Sequence, residues 1–116
     1  MRQRKYVKSI KSWLNLNSGN HVYIAGKVTG VEYQVAQLQF DSAAKYLEAL
    51  WYVAVSPLDF VHPETTWEEA MKISLNLLIQ SDYILMLPGW QDSKGATMER
   101  EIAMKLGIPF FEGYNL

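Results

Sequence analysis

Three short, strongly apolar runs, HVYIAG at 21–26, WYVAVS at 51–56 and YILMLP at 83–88, are each followed by a longer stretch that reads as helix. A run of five or six apolar residues with no polar alternation is what a strand needs when both of its faces are covered. Strand followed by helix, repeated three times, implies parallel strands joined by right-handed crossovers. The expected fold is therefore a small α/β domain of the flavodoxin or Rossmann-like three-layer kind.

The helical stretches carry their own punctuation. From about Val35 to Leu50, Ala36, Phe40, Ala43, Leu47 and Leu50 form a 3.6-residue stripe. After an irregular stretch at 57–65, Thr66 with Glu69 matches a capping box and opens a helix to about Ile79. A third helix spans about Gly95 to Leu106 and ends at Gly107 and Pro109. PFFE at 109–112 is expected as a last strand, giving four to five strands in the order 2-1-3-4. Ahead of this unit, Tyr6, Ile10, Trp13 and Leu14 lie at helical spacing within 4–16, an extra amphipathic helix closed by Asn17-Ser18-Gly19-Asn20. The chain thus divides into that helix and turn at 1–20 and one domain at 21–116.

Composition narrows the function classes. With 49% hydrophobic and 20% charged residues the chain is expected to fold throughout, and a net charge of −1 argues against nucleic-acid binding. It has no cysteine, which removes disulfides, thiolate catalysis and cysteine-bound zinc. His21 and His62 are too far apart in the pattern to suggest a metal site, so no metal is expected. No run approaches a membrane span and the basic N-terminus lacks a signal peptide's apolar segment, so the expected location is cytoplasmic.

In the order 2-1-3-4 the direction of winding switches between strands one and three, and ligands bind at such a point. Two glycine-punctuated loops leave it: Gly26-Lys27-Val28-Thr29-Gly30 and Pro88-Gly89-Trp90-Gln91-Asp92-Ser93-Lys94-Gly95. Glycine permits close backbone approach to a ligand, and the second loop enters a helix whose free N–H groups favour an anion. On that helix Ala96, Ile102, Ala103 and Leu106 form an inward stripe that also contains Glu99, while Arg100 and Glu101 fall toward solvent. An inward carboxylate has either a partner or a use. Nearness to the positive helix end is expected to keep Glu99 ionised. Asp82, at the opposite end of its strand, reads as a turn or cap residue.

VYIAGKVTG at 22–30, SPLDF at 56–60 and DYILMLPGWQDSKGATMEREIAMKLG at 82–107 resemble the nucleoside 2-deoxyribosyltransferase-like superfamily, most closely a small bacterial and phage branch without an assigned function. The resemblance covers roughly 21–112. It implies that Glu99 attacks the anomeric carbon of a nucleoside in a retaining glycosyl transfer, with no cofactor. By the same resemblance Tyr23 orients Glu99, Ser93 contacts the sugar or its 5′ group, and Gly26, Gly30, Gly95 and Ala96 shape a backbone cradle. Asp92 becomes a candidate for a ribose hydroxyl or proton transfer, Asp59 for protonating the leaving base, and Trp90 for stacking on it. Trp51 stands where such relatives generally carry a turn glycine, which puts the entry into the second strand in question. Relatives often complete their sites across subunits, so a homodimer or larger assembly is expected.

Two other readings stay open at this point. PGW with SKGATME loosely resembles the motif of the cytokinin-activating phosphoribohydrolases, which act on nucleoside 5′-monophosphates. The domain would alternatively bind a nucleotide and signal without turning it over.

Overall fold

The computed structural model describes residues 19–111. Three parallel strands, β1 (His21–Ala25), β2 (Val53–Val55) and β3 (Tyr83–Met86), form one sheet in the order β2-β1-β3. Tyr23 is paired with Val55 on one side and Ile84 on the other, so β1 is central and buried along its whole length. Three helices, α1 (Tyr33–Ala49), α2 (Trp67–Ile79) and α3 (Lys94–Lys105), make the crossovers.

Alternation along β1 sorts the core into two layers. Val22 and Ile24 pack with Ala36, Phe40, Ala43 and Leu47 of α1, whereas Tyr23 and Ala25 pack with Leu77 and Leu78 of α2 and Ala103 of α3. Thr66 caps α2 as expected, its hydroxyl accepting from the Glu69 N–H at 3.3 Å. The Glu69 carboxylate pairs with Lys72 on the exposed face.

Several expectations need correcting. The sheet has three strands: residues 109–111 contribute an isolated parallel bridge, Ile84 to Phe110, beside β3. The second strand begins at Val53, because Trp51 adopts a left-handed φ of 68° in a turn and its indole is 88% exposed. Leu50 and Leu106 fall past the last helical residues and are exposed. Arg100 is partly buried, its guanidinium 4.9 Å from the Trp90 ring centre and 5.2 Å from that of Phe110. Asp82 has the turn role assigned to it, accepting the His21 N–H at 2.9 Å. The helix expected at 4–16 lies outside the described residues. No described helix is long and apolar enough to cross a membrane.

Candidate functional site

Where β1 and β2 end, the chain parts around a cavity of about 450 Å³. Its walls come from the turn after β1 (Gly26, Val28, Thr29, Val31), from Tyr33 and Phe40 of α1, from Pro57 to Thr65, and from Trp67, Met71 and Ser74 of α2. Ser93, Gly95, Ala96 and Glu99 close it from α3.

Glu99 is buried at 5% exposure, and the Tyr23 hydroxyl donates a hydrogen bond to its Oε2. Both groups line the cavity. Tyr23 also engages the Ser74 hydroxyl, so three elements meet at one polar chain: Ser74 on α2, Tyr23 on β1, Glu99 on α3. Burial pushes the Glu99 carboxyl up to about 8, and the Tyr23 hydrogen bond only partly opposes this. The Tyr23 phenol is held well above its ordinary value by burial first, then by the neighbouring Glu99. Glu99 is therefore mostly protonated at pH 7, contrary to the expectation of an ionised group. The reason is position: Glu99 lies in the second turn of α3, whereas the favourable field of a helix start fades within the first, and desolvation wins.

The two glycine loops divide on inspection. Gly26 is buried against Leu87, and Gly95 lies against Met71 and Trp67 at the cavity wall. Gly30 and Gly89 have φ of +83° and +88° with open space around them, so they serve the turns. Lys27, Gly89, Trp90 and Asp92 do not line the cavity. A short 3-10 turn at Trp90–Asp92 leaves Asp92 exposed, and the Trp90 ring is occupied by Arg100. Asp59 is buried, but at that point Pro57 and Leu58 form the wall.

Ser93 proves to be the N-cap of α3, its Oγ accepting the Ala96 N–H at 3.0 Å. Ser93 also lines the cavity. Ser93→Ala is expected to lower stability by about 1 kcal/mol through the lost cap, measured by urea denaturation; an unchanged midpoint would show that the cap carries no weight. The sequence reading missed Ser74, Trp67 and Met71. The available signal was a serine at 74 on the stripe Met71, Ser74, Leu78.

The DUF4406 family, described as a domain of unknown function, matches residues 20–111, and that span contains every wall of the cavity. The chain belongs to this family. No curated protein matches it. In this DUF4406 domain, His62 reaches the cavity rim with its Nδ1 accepting the Glu64 N–H, while His21 lies at the far end of β1. Among the described residues no group of three or more His, Cys, Asp or Glu is placed to hold a metal ion.

Proposed function

We propose that this DUF4406 domain cleaves the N-glycosidic bond of a nucleoside or nucleotide by a retaining route, with Glu99 as nucleophile. The observation that carries the reading is the Tyr23–Glu99 pair, buried together at the wall of a cavity large enough for a small molecule. The resemblance to the nucleoside 2-deoxyribosyltransferase-like superfamily supports the same roles for these two residues.

In the first step a Glu99 carboxylate oxygen bonds to the anomeric carbon as the bond to the base breaks. The bonding pair leaves with the base, which takes up a proton from solvent. Water or a second base then attacks the same carbon and gives up a proton to solvent, and Glu99 departs as carboxylate. Only ionised Glu99 can begin this, so base release should rise with pH toward a plateau above about 8. Positive charge growing on the sugar would favour the carboxylate within the complex. The Tyr23 hydroxyl holds the carboxyl group in place.

Incubation at pH 8.5 with nucleosides, deoxynucleosides and their 5′-monophosphates, followed by chromatography of free base, tests the reading. Native protein should release base, and Glu99→Gln should lose activity by a factor on the order of 10³ or more. A sugar adduct on Glu99, seen by mass spectrometry, would identify the nucleophile.

Burial of a mostly neutral Glu99 also favours a second reading, a nucleotide-binding module without turnover. A neutral carboxyl beside a phenol presents hydrogen bonds in a largely apolar wall. Saturable binding of a nucleoside without base release, unaltered in character by Glu99→Gln, would select it.

A further inference from the structure

The segment between β2 and α2 carries a cavity-lining side chain, His62, that the proposed chemistry does not use. Pro57–Asp59 is a 3-10 turn whose Pro57 carbonyl accepts both the Phe60 and the Val61 N–H, at 3.0 and 2.9 Å. His62 and Pro63 then open a second turn, closed by the Thr65 N–H on the His62 carbonyl at 3.0 Å, and Thr66 caps α2 directly after it. The His62 ring takes part in this turn, since its Nδ1 accepts the Glu64 N–H at 3.2 Å. Accepting from the backbone two residues on is the ordinary work of Asp, Asn or Ser at the start of a turn. Imidazole does the same and presents a donor on the opposite edge of its ring. With Nδ1 accepting, the ring proton resides on Nε2, where among the described residues nothing accepts it.

We propose that His62 determines specificity for the base: when a nucleoside occupies the cavity, its Nε2–H donates a hydrogen bond to an acceptor atom of the base, a ring nitrogen or a carbonyl oxygen. This rests on reading the cavity as a nucleoside site. Two features of the wall put the base, and not the sugar, at His62. The first is polarity. Tyr23 belongs to the core layer of α2 and α3, the helices that carry Ser74 and Glu99, and the anomeric carbon has to lie there. Phe40 and Leu58 belong to the other layer, with Val28, Val31 and Tyr33 packed against them, and all five line the cavity. A flat, weakly polar ring fits that end, whereas a hydroxyl-rich sugar would leave its groups unpaired. His62 follows Leu58 and Val61 along the same wall. The second feature is lateral. Glu99 lies on the helix after β3 and His62 on the segment after β2, and the order β2-β1-β3 puts them on opposite sides of the central strand. A ligand that touches both spans the crevice, sugar at one side and base at the other. The Thr29 and Thr65 hydroxyls that also line the cavity can donate or accept, but Nε2–H only donates, so it selects by where the base carries an acceptor. During cleavage the same N–H faces the negative charge arriving on the base before a proton comes from solvent, and the hydrogen bond strengthens as the base departs.

Calorimetric titration separates this from the role of Glu99. The full chain carrying Glu99→Gln, which holds a nucleoside without cleaving it, is titrated with adenosine, guanosine, cytidine and uridine. At least one should bind, and His62→Phe added to that chain should weaken its binding about tenfold, the loss of one hydrogen bond. His62 is exposed at the rim, so the substitution leaves the core intact. His62→Gln, whose amide N–H reaches the position of Nε2, should recover most of the affinity. Analogues of the bound nucleoside with one acceptor replaced by C–H, such as 7-deazaadenosine and 1-deazaadenosine for adenosine, should include one that binds equally well with and without His62→Phe. Equal affinity of the two chains for every nucleoside overturns the proposal and leaves Glu99 untouched. A loss that is the same for the nucleoside and for every analogue also overturns it, because a merely structural role would act that way. Absence of binding by all four nucleosides overturns both readings. Binding as expected, with no base released by the native protein at pH 8.5, removes the glycosyl-transfer reading and supports His62 as the residue that reads the base.

Discussion

Replacing Glu99 with glutamine is expected to change the melting temperature little at pH 5 and to raise it by more than about 10 °C over the native protein at pH 9. The carboxyl is buried and its titration is displaced from 4.5 to about 8. Between those values the folded chain holds a proton that the unfolded chain has released, so each step up in pH favours unfolding. The stability associated with the neutral group is complete below about pH 4.5 and is lost as pH rises through about 8. At about 1.4 kcal/mol per pH unit the loss is at most roughly 5 kcal/mol, less whatever relaxation admits water to the site. One kcal/mol moves the transition of a domain this size by about 4 °C or more. Glutamine keeps nearly the same shape and does not titrate, so other carboxylates cancel in the comparison. Thermal melts of both proteins from pH 5 to 9 decide it: a gap that stays constant with pH would mean that burial does not displace Glu99.

The same titration links stability to the proposed chemistry. The state in which Glu99 can attack is the one that costs the fold, and it becomes populated over the pH range in which base release should rise. The stability gap should therefore widen up to about pH 8 and level off there, at the pH where the activity of the native protein has its midpoint. Agreement would assign both to one carboxyl group.

What was legible in the sequence, and what was not, follows from how local each signal is. Glu99 stood out because one acidic residue on a stripe with Ala96 and Ala103 is a local contradiction, and its burial resolves it. The crossovers were legible because a fully covered strand has no polar face to obscure it. Loop geometry was not. A motif rich in glycine does not say which of its residues face inward, and a 3-10 turn at Trp90–Asp92 sent Asp92 outward while returning Ser93, Gly95 and Ala96 to the cavity. Ser74 escaped because its partner, Tyr23, is 51 positions away. Trp51 looked like a strand residue by propensity, but the three-residue turn between α1 and β2 required a left-handed conformation there.

Gly26 and Gly95, alike in the sequence as loop glycines, should respond differently to the same substitution. A Cβ at Gly26 would lie 2.9, 3.1 and 3.2 Å from Cδ1, Cβ and Cγ of Leu87. Leu87 is 1% exposed and packed among Val22, Ile24 and Phe40, and its Cβ is fixed to the backbone, so it has nowhere to move. Gly26→Ala should then cost about 1–3 kcal/mol, the range for overpacking a core. A Cβ at Gly95 would meet the Met71 Sδ at 3.0 Å and the Trp67 Nε1 at 3.6 Å. A thioether yields by rotation, and alanine in the first turn of α3 gains up to about 1 kcal/mol of helix propensity over glycine. Gly95→Ala should therefore leave stability within about 0.5 kcal/mol of native while pushing Met71 into the cavity and weakening binding or turnover of whatever occupies it. Urea denaturation of the two variants, alongside base release, separates these effects. A Gly26→Ala protein as stable as the native one would mean that strand β1 and Leu87 are not packed as described, and with them the floor on which Tyr23 and Glu99 are held.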